Sequence, residues 1–278
     1  MQSVIFDHDF FSINDYGVHA HYHFVDFYGR TIEIRISEKN HTKRRPFGLL
    51  APMGDAAENP SSLPLILLHD FYFVRKSKTV FMVCINGRTH KPDSLPMPID
   101  WSRMYFTRYC PVPLIATFNP AFESTLTVLK IEEGTTTFTS GDYKYDLVWN
   151  HSNVLIKTIT RNNERYPLKL NFEPAFPSVP DVKTGDYFFG SFSIAGHQST
   201  GSISGTFSLK ALDGSLQIIL QPEIGWKPVI PKFSLLILYT FIKVFKNWPK
   251  TYIWTADLKK SEDGSWYMSS RWVRSGKS

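Results

Sequence analysis

The sequence predicts an all-β protein of two antiparallel, barrel-like halves packed together, residues 1–118 and 119–278, with one principal helix near 232–247. Three observations carry that prediction. Short segments alternating apolar and polar residues at period two recur along nearly the whole chain. Gly, Asn, Asp and Pro clusters separate them at short intervals, the pattern of sandwiches and barrels. A single stretch, Phe233–Phe245 (FSLLILYTFIKVF), breaks the alternation with a dense apolar run.

In chain order, Val18–Phe27 and Arg30–Ser37 flank Tyr28-Gly29 and read as a hairpin with Ile32, Ile34 and Ile36 on the buried face. Leu65–Arg75 and Thr79–Asn86 pair around Lys76-Ser77-Lys78. Prolines at Lys91–Pro98 and Pro111–Pro113 exclude central strands there. The block Pro111–Pro120 is the expected seam between the halves, with Pro174–Pro180 a second candidate. Thr125–Ile131 and Thr135–Thr139 read as a hairpin around Glu132-Glu133-Gly134, and Tyr143–Trp149 with Val154–Thr160 as the next. Tyr166–Phe172, Tyr187–Ile194, Ser202–Leu209 and Leu216–Leu220 follow. Tyr252–Leu258 and Ser265–Arg274 close the chain across Asp263-Gly264, giving about seventeen strands. Pro231 suits a first helical turn, and Trp248-Pro249 ends the apolar run.

Composition narrows the function classes. A hydrophobic share of 42% with 20% charged residues describes a folded chain, and 22 Phe and 13 Tyr suit both a sheet core and an apolar pocket. The net charge of +6 is scattered apart from Lys43-Arg44-Arg45, and no nucleic-acid-binding signature accompanies it, so no nucleic-acid partner is expected. Cys84 and Cys110 lack a paired spacing and read as buried thiols in a reducing compartment. Acidic residues within the first ten positions argue against a secretory leader, and the apolar run falls short of the ~20 residues that span a bilayer. The expected location is cytoplasmic, with peripheral membrane contact open. No phosphate-cradling or dinucleotide fingerprint and no nucleophile elbow occurs, so no cofactor is expected.

The string GDYFFGSFSIAGHQSTGSISGTFSL, Gly185–Leu209, resembles a strand pair of the two-barrel calycin group, lipocalin-like proteins that include carotenoid hydratases and Diels–Alder cyclases. The resemblance lies in the break between Gly196 and Gly201 that separates two long strands. It implies two barrels enclosing an apolar ligand site. That group commonly carries an Asp and a Trp after the second glycine, and Ser202–Ser208 has neither, so no catalytic residue is carried over.

Among polar constellations, His19, His21 and His23 share one strand face by period-two alternation. They read either as a pocket wall able to move protons or as part of a metal site, the latter needing a ligand from another strand. Arg103 and Tyr105 also share a face; a guanidinium beside a phenol holds a carboxylate or enolate, or plugs a barrel end. Tyr143, Tyr145 and Trp149 line one strand face, suited to stacking on a conjugated ligand or to an aromatic ladder. Leu238 belongs to the apolar stretch and Trp226 to its margin, the whole read as a lid, a lipid-facing helix or an oligomer contact.

Together these features predict binding of a hydrophobic small molecule, with His19, His21, His23, Arg103 and Tyr105 as the catalytic candidates. Tyr143, Tyr145, Trp149, Trp226 and Leu238 are the expected ligand contacts. Cofactor-free cyclisation, isomerisation or hydration is the chemistry that such a pocket supports. The alternatives are a non-catalytic lipid or pigment carrier and a metal-dependent barrel enzyme using the three histidines.

Overall fold

The computed structural model describes residues 2–6, 9–39, 47–51, 57–94, 103–109, 112–162, 167–196, 201–227 and 233–275. The all-β expectation holds: strands predominate among the described residues, and the α-helices among them are two and short. In chain order the strands are β1 (Gln2–Phe6), β2 (Asp9–Ile13), β3 (Val18–Val25), β4 (Thr31–Glu38), β5 (Phe47–Ala51), β6 (Leu63–Arg75), β7 (Thr79–Ile85), β8 (Arg88–His90), β9 (Met104–Tyr109) and β10 (Val112–Phe118). There follow β11 (Phe122–Thr125), β12 (Thr137–Ser140), β13 (Tyr143–Asn150), β14 (Asn153–Arg161), β15 (Leu168–Pro177), β16 (Tyr187–Ala195), β17 (Ser202–Leu212) and β18 (Ser215–Lys227). Two helices, α1 (Phe233–Phe241) and α2 (Lys243–Asn247), precede β19 (Tyr252–Lys260) and β20 (Trp266–Arg274). The chain forms two compact units, 1–48 with 68–113, and 49–67 with 114–278. Residues 49–67 therefore belong with the C-terminal half of the chain, and the long strand β6 is divided between the units.

In the first unit a six-stranded sheet runs β1-β2-β3-β4-β7-β8. The β3–β4 turn forms because the Asp26 carboxylate accepts the backbone N–H groups of Tyr28 and Arg30, each at 2.9 Å, while Gly29 takes φ +73°. Period-two alternation sends Val18, Ala20, Ile32 and Ile36 inward, and Ile34 packs half-buried beside them. Ala20, Ile36 and Val74 form a small core closed by Phe11, Tyr22, Phe81 and Tyr105. Glu38 is buried within this unit and accepts from Arg75 Nε at 2.7 Å, while Arg75 Nη2 donates to the Tyr16 carbonyl at 2.9 Å. Gly17 lies against the Glu38 backbone so closely that a Cβ there would strike its carbonyl.

The second unit is built on a ten-stranded antiparallel sheet, β11-β20-β19-β18-β17-β16-β15-β14-β13-β12. Its two edge strands, β11 and β12, are consecutive in sequence. Ten flat strands would span about 43 Å from edge to edge at ~4.8 Å each. The connection from Thr125 to Thr137 reaches at most ~40–43 Å when fully extended, and a turn at Glu132–Thr135 shortens it. The sheet is therefore curled, bringing its edges towards each other, yet β11 and β12 do not pair and the sheet stays open. The expected hairpin between Thr125–Ile131 and Thr135–Thr139 does not form. β11 pairs with β20 instead (Phe122↔Ser270), and the Leu126 amide donates to Trp266 O at 2.7 Å.

Inside the curl lies one large core. Phe192, Ile194, Ile203, Phe207, Leu209, Leu258 and Trp272 are all buried, as are Leu63, Leu65 and Leu67 of β6 and Phe118 of β10. Trp272 is fully buried, with its indole donating to Asn119 O at 2.7 Å and Phe118 O at 3.2 Å.

The expected single helix over 232–247 is interrupted. Ile242 adopts extended backbone (φ −89°, ψ 111°) and separates α1 from α2. Thr240 already diverts its hydroxyl to the Leu236 carbonyl at 2.6 Å, a back-bond that competes with helix continuation. Tyr239 and Phe245 pack edge-to-face across the break, with centroids 5.4 Å apart. Leu236, Phe241 and Ile242 are exposed. No helix among the described residues is long and apolar enough to cross a membrane.

Candidate functional site

Tyr143 and Tyr145, two residues apart on β13, project from the same face of the curled sheet. Strand register builds two adjacent rungs there. Tyr145 stands opposite Ile159, which faces Leu170, which faces Ile194; Tyr143 stands opposite Arg161, which faces Leu168. Leu65, Ala116 and Phe118 supply the opposing wall, leaving an open cleft of about 230 Å³. Its floor is aliphatic and aromatic, and its polar residues are two tyrosines, Arg161, Thr117 and Asn119, of which the guanidinium is the one charged group. Burial pushes the Tyr145 phenol above its ordinary range, and the neighbouring Tyr143 adds to the shift. Tyr145 therefore stays a hydrogen-bond donor across the physiological range. Arg161 adds a planar guanidinium with several N–H donors. An apolar body with a terminal carboxylate, sulfonate or enolate matches this set of groups.

Trp149 lies on the same strand but not in the cleft, because its indole donates to Thr135 O at 2.8 Å. The backbones of Trp226 and Leu238 belong to β18 and α1, and their side chains lie outside the described residues. Cys110 also lies outside them, while Cys84 is half-buried beside Thr89 Oγ1 at 3.7 Å.

The histidine row belongs to the first unit. His19, His21 and His23 alternate with Ala20 and Tyr22, which pack in or against the small core, so the imidazoles occupy the other face. His21 Nε2 lies 3.2 Å from Glu33 Oε1, and His19 Nδ1 lies 3.3 Å from Ser37 Oγ. The exposed His23 donates its backbone N–H to Asp9. Glu33 also accepts from Arg35 Nε at 2.7 Å. The His21 contact, reinforced by Arg35, holds the Glu33 carboxyl below its ordinary value. No group of three or more His, Cys, Asp and Glu side chains with metal-binding spacing occurs among the described residues.

Arg103 and Tyr105 have separate surroundings. Arg103 is exposed, with its carbonyl accepting from the Lys76 amide at 2.8 Å, whereas the Tyr105 ring packs edge-to-face on Phe81 at 5.1 Å.

Sequence reasoning passed over Arg161, the charged member of the cleft. Its position opposite Tyr143 depends on the β13–β14 register, and a bulge between Asp146 and Leu147 shifts that register midway along the pair. It also passed over a larger hollow, of about 360 Å³, on the other face of the same sheet. No family model, characterised protein or solved structure matches the chain.

Proposed function

We propose that the second unit binds an amphipathic small molecule, an apolar body carrying one anionic group, in the Tyr143–Tyr145–Arg161 cleft. The observation that carries this reading is the convergence of two phenols and a guanidinium over a floor of Ile159, Leu168, Leu170 and Ile194. The floor accommodates the apolar body, Arg161 pairs with the anion, and Tyr145 donates to it. A protonated Tyr145 is also the group that would protonate an enolate, so hydration or isomerisation by general acid catalysis is a reaction this cleft accommodates.

The test uses 8-anilinonaphthalene-1-sulfonate, an aromatic body with a sulfonate, followed by displacement with oleate. Arg161→Gln should weaken binding about ten- to a hundredfold, the worth of a charged hydrogen bond. Lys157→Gln, on the opposite sheet face, should leave it unchanged. Equal affinity for wild type and Arg161→Gln refutes the site. Mass analysis of a bound ligand before and after incubation separates carrier from catalyst.

A second reading concerns α1 and α2. Leu236, Phe241 and Ile242 are exposed, and the exposed Lys243 and Lys246 follow directly in sequence. That apposition of apolar and cationic groups matches an anionic lipid surface. Co-sedimentation with phosphatidylserine vesicles should fall on Phe241→Glu. Undiminished sedimentation of that variant removes the reading.

A further inference from the structure

The hollow on the outer face of the ten-stranded sheet is built on two neighbouring rungs, Glu173–Ser191–Thr206 and one made wholly of small polar side chains. Thr158 stands opposite Asn171, Asn171 opposite Ser193, and Ser193 opposite Ser204, so four neighbouring strands each contribute one small polar side chain. The intervening residues Phe172, Phe192 and Phe207 turn the other way, into the core. The alternation that fills the interior with rings thus lines the outside with hydroxyls and an amide.

A flat sheet face would not form a hollow. Here the rung is bracketed by register shifts, between Ile156 and Thr158 on one side and at Ser202/Ser204 and Ser204/Gly205 on the other. Each such irregularity bends the strand that carries it. Gly205 permits the second bend, since a Cβ there would collide with the Gln221 carbonyl of β18. The resulting volume, about 360 Å³, falls within the roughly 300–1,000 Å³ of small-molecule sites.

The side chains are already oriented by one another. Thr158 Oγ1 donates to Asn171 Oδ1 at 3.1 Å, and Asn171 Nδ2 lies 3.4 Å from Ser193 Oγ, towards which it donates. Thr206 Oγ1 donates to Glu223 Oε1 at 3.0 Å at the margin. This chain leaves the second amide proton of Asn171 and the hydroxyl protons of Ser193 and Ser204 able to donate, and their lone pairs able to accept. The polar part of the lining is therefore neutral and alternates donors with acceptors, while Ile224 and the Phe172 and Phe192 positions add apolar surface beside it. Charge enters only at the rim, as Lys157 against Glu173 and Glu223. An anion would meet two carboxylates for one ammonium, and an apolar ligand would strip water from hydroxyls without replacing it.

We propose that this hollow is a binding site for a neutral polyhydroxylated ligand, a saccharide, distinct from the amphipathic-ligand cleft on the opposite face. A sugar hydroxyl donates and accepts at once, as do the groups that line the floor.

Isothermal titration of the full chain with glucose, galactose, maltose and lactose tests this, with glucuronate and glucosamine as charged analogues. Saturable binding of at least one neutral sugar is expected. Ser204→Ala should weaken it about three- to tenfold, one neutral hydrogen bond. Asn171→Leu should weaken it further, while Ser208→Ala, on the same face beyond the hollow, and Arg161→Gln, on the other face, should not. Should Asn171→Leu fail to fold, the comparison of Ser204→Ala with Ser208→Ala decides alone. Absence of binding by all four neutral sugars overturns the proposal. So does binding only of a charged analogue, or equal loss in Ser204→Ala and Ser208→Ala. Because Arg161 plays no part here, failure of the amphipathic-ligand reading would leave this result untouched.

Discussion

Replacing Arg75 by Met should loosen the first unit far more than the loss of one surface ion pair would. The Glu38 side chain has no exposed surface and that of Arg75 only 13%, with Nε and Oε1 2.7 Å apart. Exposed ion pairs contribute ~0–1 kcal/mol. Removing one partner of a buried pair costs ~3–5 kcal/mol, because the carboxylate then stays buried without the Arg75 guanidinium. At ~1.36 kcal/mol per factor of ten, amide exchange in β3 and β4 should accelerate roughly a hundred- to several-thousandfold. Hydrogen–deuterium exchange of peptides covering Val18–Val25 and Thr31–Glu38 reads this directly. The double variant Glu38→Leu/Arg75→Met removes both charges and should recover most of the loss. Exchange within a factor of five of wild type in Arg75→Met would refute the argument. So would a double variant less protected than the single one, since the cost would then lie elsewhere than in the loss of the Glu38–Arg75 pair.

Trp272→Ala should cost ~3–5 kcal/mol in urea unfolding monitored by circular dichroism, the range for a fully buried aromatic, whereas Trp149→Phe should cost at most ~1.5, one net hydrogen bond. Glu33, held below its ordinary value by His21 and Arg35, should stabilise the fold above about pH 4.5 and lose that contribution as pH falls through its folded value. Melting temperatures of wild type and Glu33→Gln should thus differ near neutrality and converge in acid; a constant gap would contradict this. Gly205→Ala forces β17 from β18 and should destabilise by ~1–3 kcal/mol, and it should also abolish saccharide binding. Gly214→Ala meets no neighbouring atom and should cost only the ~1–2 kcal/mol of its left-handed φ of +64°.

The strands were legible because their chemistry is local. Alternation alone places Ile32 and Ile36 inward and His19, His21 and His23 together on one face. It also puts Tyr143 and Tyr145 side by side, although it includes Trp149, which bonds to Thr135 instead. What stayed hidden depends on which strand lies beside which. The pairing of Phe122 with Ser270 joins residues far apart in sequence, and no local pattern near Thr125 announces it. Arg161 entered the cleft through a register altered by a bulge, and the polar hollow through irregularities at Ile156, Ser202 and Ser204. The helix break at Ile242 was likewise invisible, since every neighbouring residue is compatible with helix.

The excursion of residues 49–67 into the second unit has a consequence for biosynthesis. Leu63, Leu65 and Leu67 emerge from the ribosome early, yet the core that buries them includes Trp272, about two hundred residues downstream. At ~5–20 residues per second, this greasy segment waits about 10–40 s for its last packing partner. Throughout that interval the nascent chain presents an adhesive stretch that its own later strands have yet to cover. Slowed translation within the 119–265 coding region should therefore raise chaperone occupancy on nascent chains, a demand set by the order in which the strands are made.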